Sequence, residues 1–570
     1  MKSLPFDPRQ FDLLKHELRS NSRVVCGFEN STLRILVIDN PRVTSLVRNG
    51  ILHEQNILNE YNEYLDYGLI ILEYQNHIVV LNDLYGCFPL FEYKHGQDHF
   101  ISTTYNGSYQ FELDEIAVYD YFFFNHFILD ATLNKHIRRV KGGSKITIEA
   151  TQLHVEQLFD WNDWLHFIQN ARTSKHTSTD LVLTIDQSVQ SKKPILTLTG
   201  GFDSRLLLAA LLNGNKTFDS VTWGEANNTQ SAVAKALSDQ FGITHHDMIL
   251  DEKFVQSIPS KKDYILQNIP ETPFLIDVPQ FIHMCENLPK GTELICGFMG
   301  SEIIRGPSYS SQVTLTAFAG KLGLCTTQEE IGQLLLRFNA HYKLFNETSL
   351  QEHLPYLVER YSVYSKATLN GAPKNSNIFK FLFYEKYGKM YSEFIKIHFD
   401  HGIQLINPYM DLRYIAGVFQ QNRTLTDLTP YENNFYKNFK LYTYYAKEIR
   451  QIAPQLMQTH VDRGYRLQDL VSIQGKLRLI PMQIQRKLKK RRKTKVVKTV
   501  DSFAWYKSIL SGINQHTECL KPITIINHAE FEERLSKIST VSDFEKLQIL
   551  LYLGLGMSLE TNHYAANTTH

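Results

Sequence analysis

Thr199-Gly200-Gly201-Phe202-Asp203-Ser204-Arg205 separates an alternating apolar run, KKPILTLT (192–199), from a dense one, RLLLAALLNG (205–214). The first reads as a buried strand and the second as a helix, with Asp203 near its start and Gly214 just past its end. Glycines at such a junction let a backbone pass close to a ligand. The N–H groups at a helix start favour an anion there, and Thr199 and Ser204 add hydroxyl donors. Asp203 is the odd member, because a carboxylate beside phosphate repels it unless a cation lies between them. The loop therefore points to Mg²⁺-bridged pyrophosphate, where Mg²⁺ keeps several waters and takes one or two carboxylates. It is not a Walker A loop, which needs a longer glycine spacing and a following lysine.

Working outward, TFDSVTWG (217–224) reads as a second strand and TQSAVAKALSDQFG (229–242) as a second helix. THHDMIL (244–250) reads as a third strand and LICGF (294–298) as a later one. Strands alternating with helices predict a parallel sheet covered on both faces. Thr222, Trp223 and Gly224 on one side and Cys296 and Gly297 on the other then fall at neighbouring strand ends, as candidate nucleotide base and ribose contacts. Upstream, VVCGF, LRILVI, GLIILEY, HIVVLND, PLFEYK and HFISTT are short β-rich runs between turn residues. An aromatic segment at helical spacing follows over 115–127, and Gly142-Gly143 turns the chain into another strand. From Ser310 to about Gly475 apolar residues mostly recur at helical spacing. KLKKRRKTKVVK (487–498) is the strong charge run, read as a solvated helix or hinge or as a dock for an acidic partner.

Composition narrows the classes. Sixty Lys and Arg against 59 Asp and Glu leave a net charge of +1, so no global field draws the chain onto nucleic acid. With 43 % hydrophobic and 12 % aromatic residues among 570, a large core is available and global disorder is excluded. No apolar run reaches the roughly 18 residues of a membrane helix. The start, MKSLPFDPRQ, lacks an apolar signal core, and the six cysteines are scattered with no pair at metal spacing. The expectation is a cytoplasmic protein with no integral membrane segment.

The 199–205 loop resembles the SGGxDS pyrophosphate loop of the asparagine synthetase family, whose members activate a carboxylate as an acyl-adenylate. Further patches resemble that family in the same order along the chain. ICGFMGSEIIRG (295–306) is similar to its LSGEGxDExFGG signature, and INPYMDLRYI (406–415) to its PFLD segment, with Asp411 at the aspartate. NDLYGCFPLFEY (82–93) is similar to the RDxxGxxPLYY of its amidotransferase-like N-terminal domain. ISTTY and TLNKHIRRVKGGSKI resemble that domain's closing elements. The resemblance implies a degenerate class II amidotransferase-like α+β domain over 1–165, of Ntn-hydrolase-like β-sandwich type. An α/β ATP-pyrophosphatase (PP-loop) domain would follow over 175–475, with a basic linker and helical tail over 476–570.

The departures carry their own message. Glutamine-hydrolysing members begin with a catalytic cysteine, and this chain begins Met1-Lys2-Ser3; Cys26-Gly27-Phe28 lies 25 residues in and reads as part of a strand. In the second signature Ser301 stands at the metal-binding aspartate, Glu302 keeps the adjacent acid, and Phe298 stands where Glu or Tyr lies near the reacting carboxylate. The segment that often carries a catalytic lysine is His460-Val461-Asp462-Arg463-Gly464-Tyr465, so Arg463 is the candidate cation or else a turn arginine. The resemblance implies an ATP- and Mg²⁺-dependent, AMP-forming amide ligase joining a carboxylate to an amine without glutaminase activity. Its substrate would be a peptide, an antibiotic precursor or a sugar acid. Thr199, Gly200, Gly201, Asp203 and Ser204 would hold pyrophosphate, and Asp203 and Glu302 the metal, unless Glu302 is structural. A glutamine-hydrolysing asparagine synthetase and a catalytically degenerate scaffold of the same fold stay open, as does a homodimer.

Overall fold

The computed structural model describes residues 24–29, 33–38, 68–96, 98–105, 109–124, 126–149, 152–226, 228–261, 264–265, 278–305, 317–323, 325–363, 388–422, 435–461, 464–479, 481, 520–521 and 523–537. Asp462, Arg463 and the basic run 487–498 lie outside them. Nine strands come first: β1 Val24–Glu29, β2 Leu33–Ile38, β3 Leu69–Tyr74, β4 His77–Asn82, β5 Phe91–His95, β6 Asp98–Ser102, β7 Ile137–Arg139, β8 Ser144–Glu149 and β9 Leu153–Gln157. They form an antiparallel six-stranded sheet, β1-β2-β3-β4-β8-β9, and a three-stranded one, β6-β5-β7. β3 and β4 meet in a hairpin across Gln75-Asn76, and Leu69 to Leu72 are buried on both faces, so this strand is covered on both sides.

The turns at one end of this sheet are held by Asp83. Its carboxylate accepts the backbone N–H groups of Tyr85 (3.0 Å), Cys87 (2.7 Å) and Phe88 (2.6 Å). Gly142 packs so closely on this turn that a Cβ there would lie 2.4 Å from the Gly86 nitrogen, which explains the glycine. Arg139 donates to the Gly86 carbonyl at 2.8 Å.

The second half contributes β10 Ile195–Thr197, β11 Asp219–Gly224, β12 His245–Ile249, β13 Glu293–Ile295 and β14 Gln404–Ile406. All pair in parallel, in the order β12-β11-β10-β13-β14. β14 lies inside the stretch read from the sequence as helical, and at three residues it is too short to show a period. The helix Phe202–Asn213 follows β10 and is buried from Ser204 to Leu211. It packs on the helices Thr177–Ser188 and Phe435–Ile452, while Val278–Glu286 and Gly388–Asp400 pack on each other and Gly388–Asp400 on β14. The chain therefore leaves β10 in one direction for β11 and β12, and returns to its other side for β13 and β14. The order reverses between β10 and β13, and in open parallel sheets ligands bind outside the strand ends at such a switch point.

The two halves share one hydrophobic cluster running from Leu69 to Phe531. Polar ties cross it: Arg360 forks onto Asp120 at 2.6–3.2 Å, and Lys389 donates to the carbonyls of Phe127 (2.6 Å) and Leu129 (2.8 Å). Burial pushes the Asp120 carboxyl up to about 6 despite Arg360.

Candidate functional site at the strand switch point

The turn after β10 is closed by its own side chains. The Thr199 N–H donates to the Ser204 hydroxyl (3.1 Å), and the Gly201 N–H donates to the Thr199 hydroxyl (3.2 Å). Gly201 is the N-cap of Phe202–Asn213, and no side chain caps this helix. The positive end of the helix dipole therefore faces the turn with no side-chain acceptor on it, a position that favours an anion. Asp203 sits in that first turn, where the helix dipole favours a carboxylate. Its Oδ1 accepts from the Tyr445 hydroxyl, and its carbonyl accepts from the Tyr409 hydroxyl at 2.7 Å. Burial, reinforced by the charge of Asp203, pushes both phenols well above the usual range, so they stay protonated donors. Arg205 is buried and ties the same helix to Thr459 Oγ1 (2.8 Å) and to the His460 carbonyl, just before the segment that holds Arg463.

The turn after β13 meets this one directly. A Cβ on Gly300 would lie 2.8 Å from the Tyr409 ring and 3.0 Å from Asp203 Oδ1. A Cβ on Gly297 would stand 3.4 Å from the Ser204 nitrogen. Met299 between them is left-handed, φ 70°, a conformation that strains a non-glycine residue. Ser301 donates to Glu302 Oε2 at 3.0 Å in the first turn of the helix Gly300–Arg305. Burial pushes the Cys296 thiol up to about 11, which removes it as a nucleophile at neutral pH.

A cavity of about 330 Å³ opens where the two turns meet, and six of the residues proposed from sequence line it: Thr199, Asp203, Ser204, Trp223, Cys296 and Gly297. Gly200 and Gly201 lie in the same turn. Thr222 does not reach the cavity, since its hydroxyl is bonded to the Leu198 carbonyl inside the sheet, and Gly224 ends β11 beyond it. Glu302 is two residues past Gly300 but is not a lining residue. Asp411 caps its own helix through the N–H groups of Arg413 (2.8 Å) and Tyr414 (3.3 Å), and Thr184 closes its other oxygen. Its role is structural.

No protein-family model matches the chain. No curated protein matches it either. Solved structures similar to it include glutamine phosphoribosylpyrophosphate amidotransferase from B. subtilis complexed with ADP and GMP, 10 % identical, covering 50 % of this chain and 59 % of that one, TM-score 0.14. Another is titled the allosteric regulatory enzyme of purine biosynthesis, 10 % identical, covering 48 % and 55 %, with the same TM-score of 0.14. The chain thus spans less than two thirds of either structure. Superpositions this loose carry no argument about chemistry.

Sequence reasoning missed Tyr409 and Tyr445, which fix Asp203, and Phe281, Tyr391 and Phe394, which line the cavity. Tyr445 lies in a helical stretch, FYKNFKLYTYYAKE, where aromatic spacing reads as ordinary core. For a metal, Asp203 lines the junction of the two turns, while Glu302 lies in the first turn of the helix Gly300–Arg305 and is bonded to Ser301. Among the described residues no cluster of three or more His, Cys, Asp or Glu forms a closed cage. Mg²⁺ on pyrophosphate needs only one or two carboxylates beside phosphate and water, and among the described residues Asp203 is the carboxylate that lines the cavity. No helix among the described residues is long and apolar enough to cross a membrane.

Proposed function

We propose that this chain is an ATP-dependent, AMP-forming carboxylate–amine ligase without glutaminase activity. The observation that carries the reading is the meeting of the Thr199–Ser204 turn and the Cys296–Gly300 turn at the switch between β10 and β13, around an uncapped helix start and a cavity. In this reading the first-turn N–H groups and the Thr199 and Ser204 hydroxyls hold the leaving pyrophosphate. Asp203 and Glu302 would hold Mg²⁺, which neutralises phosphate charge when bound. The acid's oxygen attacks the α-phosphorus, the α–β bridging bond breaks, and pyrophosphate departs. An amine then attacks the acyl carbon of the adenylate, loses its proton and displaces AMP. The chain contributes positioning and charge neutralisation. Cys26, inside β1 and paired with Val37 of β2, supports the absence of a glutaminase nucleophile. The reading divides the chain near 165–175 and 475, with an ATP-pyrophosphatase unit in between.

The test is to incubate the protein with ATP, Mg²⁺ and a panel of acids and amines, and to measure AMP and pyrophosphate. Equal amounts of both, dependent on an acid, are expected. ADP and phosphate as products, or no nucleotide binding at any Mg²⁺ concentration, would overturn it, the second result favouring a scaffold.

A further inference from the structure

The cavity combines polar groups of the turn at the strand ends with an aromatic wall. Thr199, Asp203 and Ser204 belong to the turn at the strand ends. Leu294 and Leu405, paired across β13 and β14 two residues below Cys296, line it deeper in the sheet. The wall between is a continuous chain of rings. Trp223 meets Phe281 edge-on (centroids 6.0 Å), Phe281 meets Phe394 (4.3 Å), Phe394 meets Phe298 (4.8 Å), and Phe298 stacks on Tyr391 at 5.4 Å and 12°. Among the described residues no Lys or Arg lines the cavity. Within it Thr197 donates to the Ile295 carbonyl at 3.2 Å, and His398 Nδ1 sits 2.5 Å from the Phe394 carbonyl.

We infer that the acid activated here is an aryl carboxylic acid, with its ring among Phe281, Phe298 and Phe394 and its carboxylate directed toward the α-phosphorus of a nucleotide whose pyrophosphate the Thr199–Ser204 turn would hold. The inference rests on the ligase reading above and names its substrate class. A volume of about 330 Å³ is near the lower end for small-molecule sites, enough for one ring-bearing group. Offset and edge-on ring contacts favour an aromatic guest. A sugar acid would set several hydroxyls against a wall of five rings and two leucines, which desolvates them without pairing most of them. Phe298 is the centre of this wall, in ring contact with both Phe394 and Tyr391.

The experiment uses the full-length protein. ATP–pyrophosphate exchange is measured with 3-phenylpropionate and indole-3-acetate against glucuronate and aspartate. Binding of the aryl acids without ATP is measured by calorimetry, with adenosine as competitor. The expected result is exchange with the aryl acids alone and ATP-free binding that adenosine does not displace. Phe281, half-buried at the cavity, is the first variant: Phe281→Ala should raise the aryl acid's Kd about 3- to 10-fold. Phe281→Leu, which keeps apolar bulk, should reproduce most of that loss with an unchanged melting temperature. Exchange confined to glucuronate or aspartate, displacement by adenosine, or no ATP-free binding would overturn the inference and leave the ligase reading standing. Aryl-acid binding with no exchange for any acid would instead overturn the ligase reading and keep the ligand class.

Discussion

Two aspartates sit at two glycine-rich turns of this protein, and they do opposite things. Asp83 is fully buried, and its two oxygens are spent on three backbone N–H groups that belong to its own turn. Asp203 is half-buried in the first turn of an uncapped helix, lines a cavity and is steadied by tyrosines from distant helices. The first carboxylate completes a fold; the second is presented to something. Glycine and aspartate in a turn do not separate these cases. What separates them is whether the carboxylate's acceptors are consumed locally and whether the helix start beside it is capped.

That contrast can be broken by substitution. The largest effect on stability is expected at Asp83→Ala, which leaves the N–H groups of Tyr85, Cys87 and Phe88 buried without this acceptor. At roughly 1–3 kcal/mol for each such group, a loss of about 3 kcal/mol or more should appear in denaturant unfolding. The same residue sets a pH dependence. Burial raises its carboxyl to about 7, against the pull of its backbone donors and Arg139. The folded state then holds this proton more tightly than the unfolded chain does. Its contribution is full below about pH 4 and is lost as pH rises toward 7. Asp83→Asn should flatten the fall in melting temperature across that window; an unchanged slope would place its origin elsewhere.

At the other turn the effects should fall on chemistry. Gly300→Ala forces a Cβ to within 2.8 Å of the Tyr409 ring and 3.0 Å of Asp203 Oδ1, so pyrophosphate release should drop about 10- to 100-fold. Glu302→Gln should raise the Mg²⁺ needed for half-maximal release several-fold, with Ser301→Asp changing little. The reverse pattern would make Glu302 structural and mark Ser301 as the lost ligand position. Tyr445→Phe removes one hydrogen bond to Asp203 and should cost the smallest amount, about 2- to 10-fold in kcat/KM. If it costs nothing, the tyrosine only packs.

The parallel sheet and its decisive turn were legible because the signals are local: an alternating run, two glycines, a dense helix and a glycine at its end. Phe202–Asn213 closes at Gly214 as the sequence implies. β14 was not legible, since three residues inside a stretch of helical spacing carry no period of their own. β7, also of three residues, was lost in the same way inside TLNKHIRRVKGG. Tyr445 could not be connected to Asp203 because 242 residues separate them. The aromatic wall was hidden likewise, its rings coming from β11, from the turn after β13 and from helices that otherwise read as core. Thr222 was misjudged for a physical reason: its β-strand position points the hydroxyl back at Leu198 instead of at the cavity.

The most direct test of the central claim is ATP–pyrophosphate exchange by Asp203→Asn, measured beside its melting temperature. The substitution keeps size and removes charge at one atom group. Exchange should fall about 10²- to 10³-fold while the melting temperature stays within a few degrees of the unsubstituted protein. Exchange at the original rate would contradict the account, and so would a collapse in stability like that expected of Asp83→Ala, which would make Asp203 one more residue of the fold.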